Sequence, residues 1–245
     1  SIVAMDEPES FETKFIKDAQ TKIFKQFRKF PKEEIDDYIV LGQYQNYKDE
    51  DKVDKNSTTE TYVAAKVFVD NDRWMDVPFY LRTGKKLKKR EIEIIIQFKP
   101  TNNAIKMINA NYANADLTNI FENNYMSIKI QPEEGINLKF NVKKIGSQDE
   151  IDIANLNYCQ SCSVENVINT PQAYERLLES SINSNRTLFS TWEQIRLSWE
   201  YMDDVIKMYK ENSNKLYEYE QGSFGPKESD EILKKDGRKW IYTQE

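Results

Sequence analysis

Arg82 to Arg90 reads R-T-G-K-K-L-K-K-R, six cationic side chains and no carboxylate in nine residues. Like charges this close repel one another, and the chain around them carries a formal net charge of -6. Folding alone gives no reason to gather them, whereas binding an anion does. The run follows P-F-Y-L (Pro78 to Leu81) and precedes E-I-E-I-I-I-Q-F (Glu91 to Phe98), so it reads as a basic loop between two strands. From charge alone, a solvated lysine-rich hairpin tip accounts for the run as well as an anion site does. Nucleic acid is disfavoured as a partner, because no wider basic surface or repeated aromatic interleaving accompanies the run.

Cys159-Gln-Ser-Cys162 has the spacing of a metal or redox pair. A structural zinc site needs four ligands, and the 245-residue chain has no second cysteine pair and no histidine to complete one. A redox C-x-x-C favours a helix N-terminus, and this one follows a strand-like segment. Two ordinary cysteines are expected, in a reducing, cytoplasmic compartment. The absence of histidine also excludes imidazole base catalysis within the chain. Its seven glycines form neither G-x-G-x-x-G nor a P-loop. No acidic pair is spaced for general acid and base roles, so no catalytic residue and no metal site are assigned. The apolar runs are too short to span a bilayer and no signal peptide precedes Met5, so no membrane association is expected.

The elements that must position these residues follow from periodicity. Ile16, Ala19, Ile23, Phe27 and Phe30 fall at helical spacing over about Phe11 to Phe30, with lysines on the opposite side. Val40 to Tyr44 and the alternation of Val63, Ala65, Val67 and Val69 read as strands, with a polar, mobile loop over Gln45 to Thr59. Ile92 to Phe98 alternates likewise. Met126 to Gln131 and Ile136 to Val142 form a hairpin about Pro132 to Gly135. Its period of two puts Lys129, Gln131, Asn137 and Lys139 on one face and apolar residues on the other. Thr101 to Asn124 reads as an inserted loop with one short helix.

The final third turns helical. One helix starts at Pro171 after a Thr170 cap, and another spans about Thr191 to Glu211. In the second, Trp192, Ile195, Trp199, Met202 and Ile206 make a stripe expected to face the core. A short last helix follows Pro226. Strands first and helices after predict an α+β fold, a large mostly antiparallel β-sheet with helices packed on one face. Residues 1–245 read as a single domain: a helical segment over 1–35, mainly sheet over 36–160 and mainly helix over 161–245.

V-P-F-Y-L-R-T-G-K-K-L (Val77 to Leu87) resembles the V-P-F-x-L-R-x-G-K-x-L signature of glucose-6-phosphate dehydrogenases. Around it lie N-D-R-W (Asn71 to Trp74) and I-Q-P-E-E-G-I (Ile130 to Ile136), and P-Q-A-Y-E-R-L-L (Pro171 to Leu178), G-S-F-G-P (Gly222 to Pro226) and D-G-R-K-W (Asp236 to Trp240) follow in the family's order. The resemblance runs from A-M-D-E-P (Ala4 to Pro8) onward and implies the family's C-terminal domain. The family's G-x-x-G-D-L-A loop, its D-H-Y-L-G-K motif and its catalytic histidine have no counterpart here. In the family that histidine lies on the helix just before the A-M-E-P element.

The implied activity is oxidation of glucose 6-phosphate with NADP in the pentose phosphate pathway, with this chain inactive alone. Lys85 matches the signature lysine that contacts glucose 6-phosphate. Arg90 matches a basic substrate position, and Gln131 a substrate-contacting glutamine. Arg82, Lys129 and Lys139 match basic positions of a second, structural NADP site found in some members. Glu91, Ile95, Asn137, Asn155 and Phe224 depart from that site's pattern, so no tightly held structural NADP is expected. The family implies a homo-oligomer, a dimer through the exposed sheet face. The alternative reading is a non-catalytic interaction module derived from the same domain.

Overall fold

The computed structural model describes residues 2–99, 124–146, 151–160, 162, 173–213 and 215–243. The chain folds as two compact units, Ser1–Lys89 with Gln172–Trp240, and Arg90–Pro171 with Ile241–Glu245. The division falls inside the basic run, where no shift of composition marks it.

The first unit holds a four-stranded sheet in the order β3-β2-β1-β8. Its strands are β1 (Ile39–Tyr44), β2 (Tyr62–Val67), β3 (Phe79–Gly84) and β8 (Tyr217–Tyr219). Three are antiparallel neighbours, and β8 joins β1 in parallel, Gly42 opposite Tyr217 and Tyr44 opposite Tyr219. The described helices of this unit are α1 (Thr13–Phe24), α2 (Ala173–Ile182), α3 (Trp192–Asn212) and α4 (Glu228–Lys234).

The second unit holds the sheet β4-β5-β6-β7, an antiparallel meander. Its strands are β4 (Ile92–Gln97), β5 (Tyr125–Gln131), β6 (Gly135–Lys143) and β7 (Ile151–Cys159).

The expected class, α+β with mostly antiparallel strands, holds, and two details differ. The strands divide between two sheets, not one large one. From Lys85 to Glu91 the only apolar residue is Leu87, so this stretch cannot continue a ladder that needs an apolar residue at every second position. Helices also cover both faces of the first sheet, not one. Val40, Tyr62 and Ala64 pack with Ile232 and Leu233 of α4, while Ile39 and Val67 pack with Val205 and Tyr209 of α3. Tyr62 and Ala64, which flank Val63, give β2 apolar residues on its other side as well.

Helix α1 ends at Phe24, short of the expected Phe30, because Phe27 forms a β-bridge with Val69. One of its lysines is not solvated. Lys17 is buried and donates to Gln20 Oε1 at 3.3 Å, and burial lowers the pKa of its ammonium. Helix α3 starts with a capping box. Thr191 Oγ1 accepts from Gln194 N at 3.2 Å and Gln194 Oε1 accepts from Thr191 N at 3.0 Å. The same glutamine donates through Nε2 to Gln20 Oε1 of α1 at 3.2 Å.

The stripe expected in the core faces solvent instead, since Trp192, Ile195, Trp199 and Met202 are exposed. Gln194, Val205 and Tyr209 take the buried positions. The cysteines also depart from expectation. Cys159 and Cys162 form a disulfide, their Cα atoms 5.4 Å apart, at the end of β7. Residues 45–59 carry a 3-10 turn at Tyr47–Asp49, and Gln43 Nε2 ties them by donating to the Thr59 carbonyl at 2.9 Å. The segment 101–123 and the expected start at Thr170 and Pro171 lie outside the described residues.

Two interactions of the first unit are open to direct test. Gly225 has φ +109, and a Cβ there would overlap the ring of buried Tyr62. Gly225→Ala is expected to cost roughly 2–4 kcal/mol, from backbone strain and overpacking together, measured by denaturant unfolding.

Lys66, also buried, sits 3.2 Å from Asp236, and the Tyr80 hydroxyl donates to the same carboxylate. Burial pushes the Asp236 carboxyl up, but the Tyr80 and Lys66 bonds outweigh it and hold it below 3.8. A depressed folded pKa contributes stability above the ordinary carboxylate value, and that stability is lost as pH falls through the folded value. Asp236→Asn is therefore expected to lower stability at neutral pH, by on the order of 2 kcal/mol. It should also flatten the loss of stability below pH 3.8, seen in unfolding curves across pH.

Candidate functional site

The basic run leaves the first sheet from β3, an edge strand. Charge repulsion would spread such a loop, and backbone hydrogen bonds oppose it. Lys85 N donates to the Thr61 carbonyl at 2.8 Å, and Lys88 N donates to the Ser223 carbonyl at 2.8 Å. The Lys86 carbonyl accepts from Gly222 N at 2.8 Å, and the Lys85 carbonyl accepts from the Tyr219 hydroxyl at 2.8 Å. Lys86 itself takes a left-handed φ of 52, a conformation costly for a lysine unless its surroundings hold it there. The loop is thus clamped from below by β8 and by the Gly222–Pro226 turn.

The side chains of the run divide by partner. Arg82 is half-buried, with its guanidinium carbon 4.6 Å from the Trp240 ring centroid and 5.3 Å from that of Phe224. Lys88 Nζ lies 5.1 Å from the Phe224 ring, and Lys86 Nζ is 3.5 Å from Glu50. These cations are held within their own unit. Lys85 and Arg90 are exposed, and among the described residues no carboxylate pairs with either.

In the second unit, Arg90 stands two residues before the start of β4, and Ile92 is in register with Gln131 at the end of β5. Arg90 and Gln131 are therefore brought to the same end of this sheet. The hairpin register is as periodicity predicts. Lys129 pairs with Gly135, Ser127 with Asn137 and Tyr125 with Lys139, so Lys129, Asn137 and Lys139 share one face. Lys85 and Arg82 belong to the other unit.

Much of that polar face is satisfied internally. Ser127, fully buried, donates to Glu93, and Thr243 donates to the same carboxylate oxygen at 2.5 Å. Asn137 Nδ2 donates to Asn155 Oδ1 at 2.5 Å. Lys139 Nζ lies 5.8 Å from the Tyr125 ring. The apolar face stays partly in water, with Leu156 60% and Tyr158 58% exposed.

Sequence reasoning missed the clamp of Tyr219 and Thr61 under the loop and the carboxylate of Glu93 between two hydroxyls. Their signal was faint: Y-E-Y (Tyr217 to Tyr219) is too short to announce a strand, and a lone glutamate on β4 has no partner in local sequence. Among the described residues no helix is long and apolar enough to cross a membrane. None of their acidic or cysteine side chains cluster as a metal site would need.

Comparison with known proteins places this geometry. The model of the family "Glucose-6-phosphate dehydrogenase, C-terminal domain" matches residues 1–241. Glucose-6-phosphate 1-dehydrogenase of Borreliella burgdorferi is 40% identical over 246 residues, covering 96% of this chain and 49% of that protein. The enzyme of Bacillus subtilis is 38% identical over 250 residues, covering 98% of this chain and 49% of its own length. A solved glucose-6-phosphate dehydrogenase in complex with its substrate glucose-6-phosphate matches with a TM-score of 0.79 and 28% identity, over 99% of this chain and 48% of that one. The chain spans about half the length of these relatives. With the signature strand, its clamped basic loop and the family match running together almost end to end, the chain belongs to the glucose-6-phosphate dehydrogenase C-terminal domain family.

Proposed function

We propose that this chain is the substrate-contributing and subunit-contacting half of a glucose-6-phosphate dehydrogenase, inactive by itself. The observation that carries the reading is Lys85. Its ammonium is exposed and has no carboxylate partner among the described residues, while its backbone is bonded through both N–H and C=O. A cation held ready on a fixed backbone suits a phosphate or sugar oxygen, because little ordering remains to be done on binding. Arg90 and Gln131 are assigned to the same substrate. A guanidinium can hold phosphate through two parallel bonds, and a glutamine amide can both donate to and accept from sugar hydroxyls.

The reaction removes a hydride from C1 of glucose 6-phosphate and a proton from the hydroxyl on that carbon, leaving 6-phosphogluconolactone. NADP supplies the hydride acceptor, and the proton acceptor in the family is a histidine, a residue this chain does not contain. The contribution of this chain is to bind and orient the sugar phosphate.

The residues here do not fit a second, tightly held NADP. Arg82 is engaged by Phe224 and Trp240, Asn137 by Asn155, and Glu93 adds negative charge to the face that would meet a phosphate. Subunit contact is assigned to the second unit's sheet, whose exposed Leu156 and Tyr158 suit a two-fold dimer interface. A cytoplasmic location follows from the same reading.

The test is Lys85→Ala in the full-length protein. The KM for glucose 6-phosphate is expected to rise about 30-fold or more, since a charged hydrogen bond of roughly 2–3 kcal/mol is lost. The KM for NADP should move by less than about two-fold. Equal effects on both substrates would remove Lys85 from the site. Substantial reduction of NADP by the 245-residue chain alone would overturn the division of labour.

A further inference from the structure

Helix α3 carries two apolar stripes, and among the described residues only one has a partner. Successive helical residues turn by about 100°, which sets the stripe of Trp192, Ile195, Trp199 and Met202 roughly 90° from the buried one. The buried stripe, through Val205 and Tyr209, covers the first sheet. On the other stripe Trp192 is 77% and Trp199 64% exposed. The two indoles alone leave roughly 300 Å² in water, an area at which an apolar patch marks an interaction site. Such a stripe has no role in the substrate reading.

We infer that this stripe is the docking surface for the N-terminal half of the full-length protein. The inference rests on the reading of the chain as part of a longer enzyme. Three observations favour that occupant. The relatives extend for about as many residues again beyond the match, and the family model matched is the C-terminal one, so the remaining half precedes this chain.

The second observation is where the chain opens. Its first residues run beside α1, with Trp74 Nε1 donating to the Ala4 carbonyl at 2.9 Å and Lys22 Nζ 2.8 Å from Asp6. The same α1 lies against the first turn of α3, where Gln194 Nε2 donates to Gln20 Oε1 at 3.2 Å, and Lys25, just past α1, pairs with Glu193 at 2.7 Å. A preceding segment therefore enters near the end of α3 where the exposed stripe begins.

The third observation is area. A stable dimer buries about 800 Å² per partner, more than a single-helix stripe offers. A covalently joined half escapes the entropy cost of association and can dock on less. The docked surface would be apolar, with aliphatic or aromatic side chains set to receive two indoles.

The experiment compares Trp199→Glu in the full-length protein and in the 245-residue chain. In the shorter chain the indole is already in water, so the melting midpoint should stay within about 2 °C. In the full-length protein the substitution should lower the midpoint by several degrees and activity by about ten-fold or more. Acrylamide should quench tryptophan fluorescence of the unsubstituted short chain more strongly than that of the full-length protein. Equal destabilisation of both forms would make the stripe part of this chain's own core and overturn the inference. So would equal quenching, or a dimer of the short chain that Trp199→Glu dissociates. Should the full-length protein fail to oxidise glucose 6-phosphate yet still shield the stripe, the docking stands and the enzyme reading falls.

Discussion

The Tyr219 hydroxyl is the tie on which the rest of the candidate site depends. It donates to the Lys85 carbonyl at 2.8 Å and stands 3.1 Å from Thr61 Oγ1. Lys85 N in turn donates to the Thr61 carbonyl at 2.8 Å, and Thr61 N to the Gly42 carbonyl at 2.8 Å. The start of β2 and the root of the basic loop thus meet at one buried phenol of β8, and Thr61 carries the link on to β1. Six cations in nine residues would otherwise favour an open, spread conformation, because their mutual repulsion falls with distance. Backbone bonds to the loop oppose that repulsion without consuming the charges themselves.

The clamp also explains how one run of like charges can serve several ends. Arg82 lies between two aromatic rings, Lys86 lies near Glu50, and Lys88 lies over Phe224. These interactions lower the repulsion within the run and anchor it. Lys85 is left with its charge directed to no carboxylate among the described residues. A protein that paired every lysine would have a stable loop and no site. The second sheet shows the opposite economy: Glu93, Ser127 and Thr243, then Asn137 and Asn155, meet one another's hydrogen-bonding needs, leaving few groups to offer a phosphate-rich ligand.

Helix α3 shows how far periodicity reaches. Its pattern contains two apolar stripes, and the one with the bulkier residues is the one in solvent. Burial went to the stripe whose first turn includes Gln194, because that glutamine caps the helix and also bonds to α1. A polar residue with two local tasks thus decided the rotation of a helix whose tryptophans pointed to a different face. The same kind of miss occurred in β2, where Lys66 is buried beside Asp236, 170 residues along the chain. No local pattern announces a partner that distant.

The amino-acid order by itself determined the basic run, the β-hairpin register that puts Lys129, Asn137 and Lys139 on one face, the start of α3 at Thr191, and the family through its ordered motifs. These are properties of local spacing, fixed by side-chain alternation, capping and charge. Only the tertiary structure decided that the strands form two sheets, that Cys159 and Cys162 join, and which face of α3 is buried. It also decided that Tyr219 and the Gly222–Pro226 turn lie beneath Lys85. The physical reason is that these outcomes are set by pairings between residues far apart in sequence. The short parallel pairing of β1 with β8 brings the last of them together, and three residues give no periodic signal from which to foresee it.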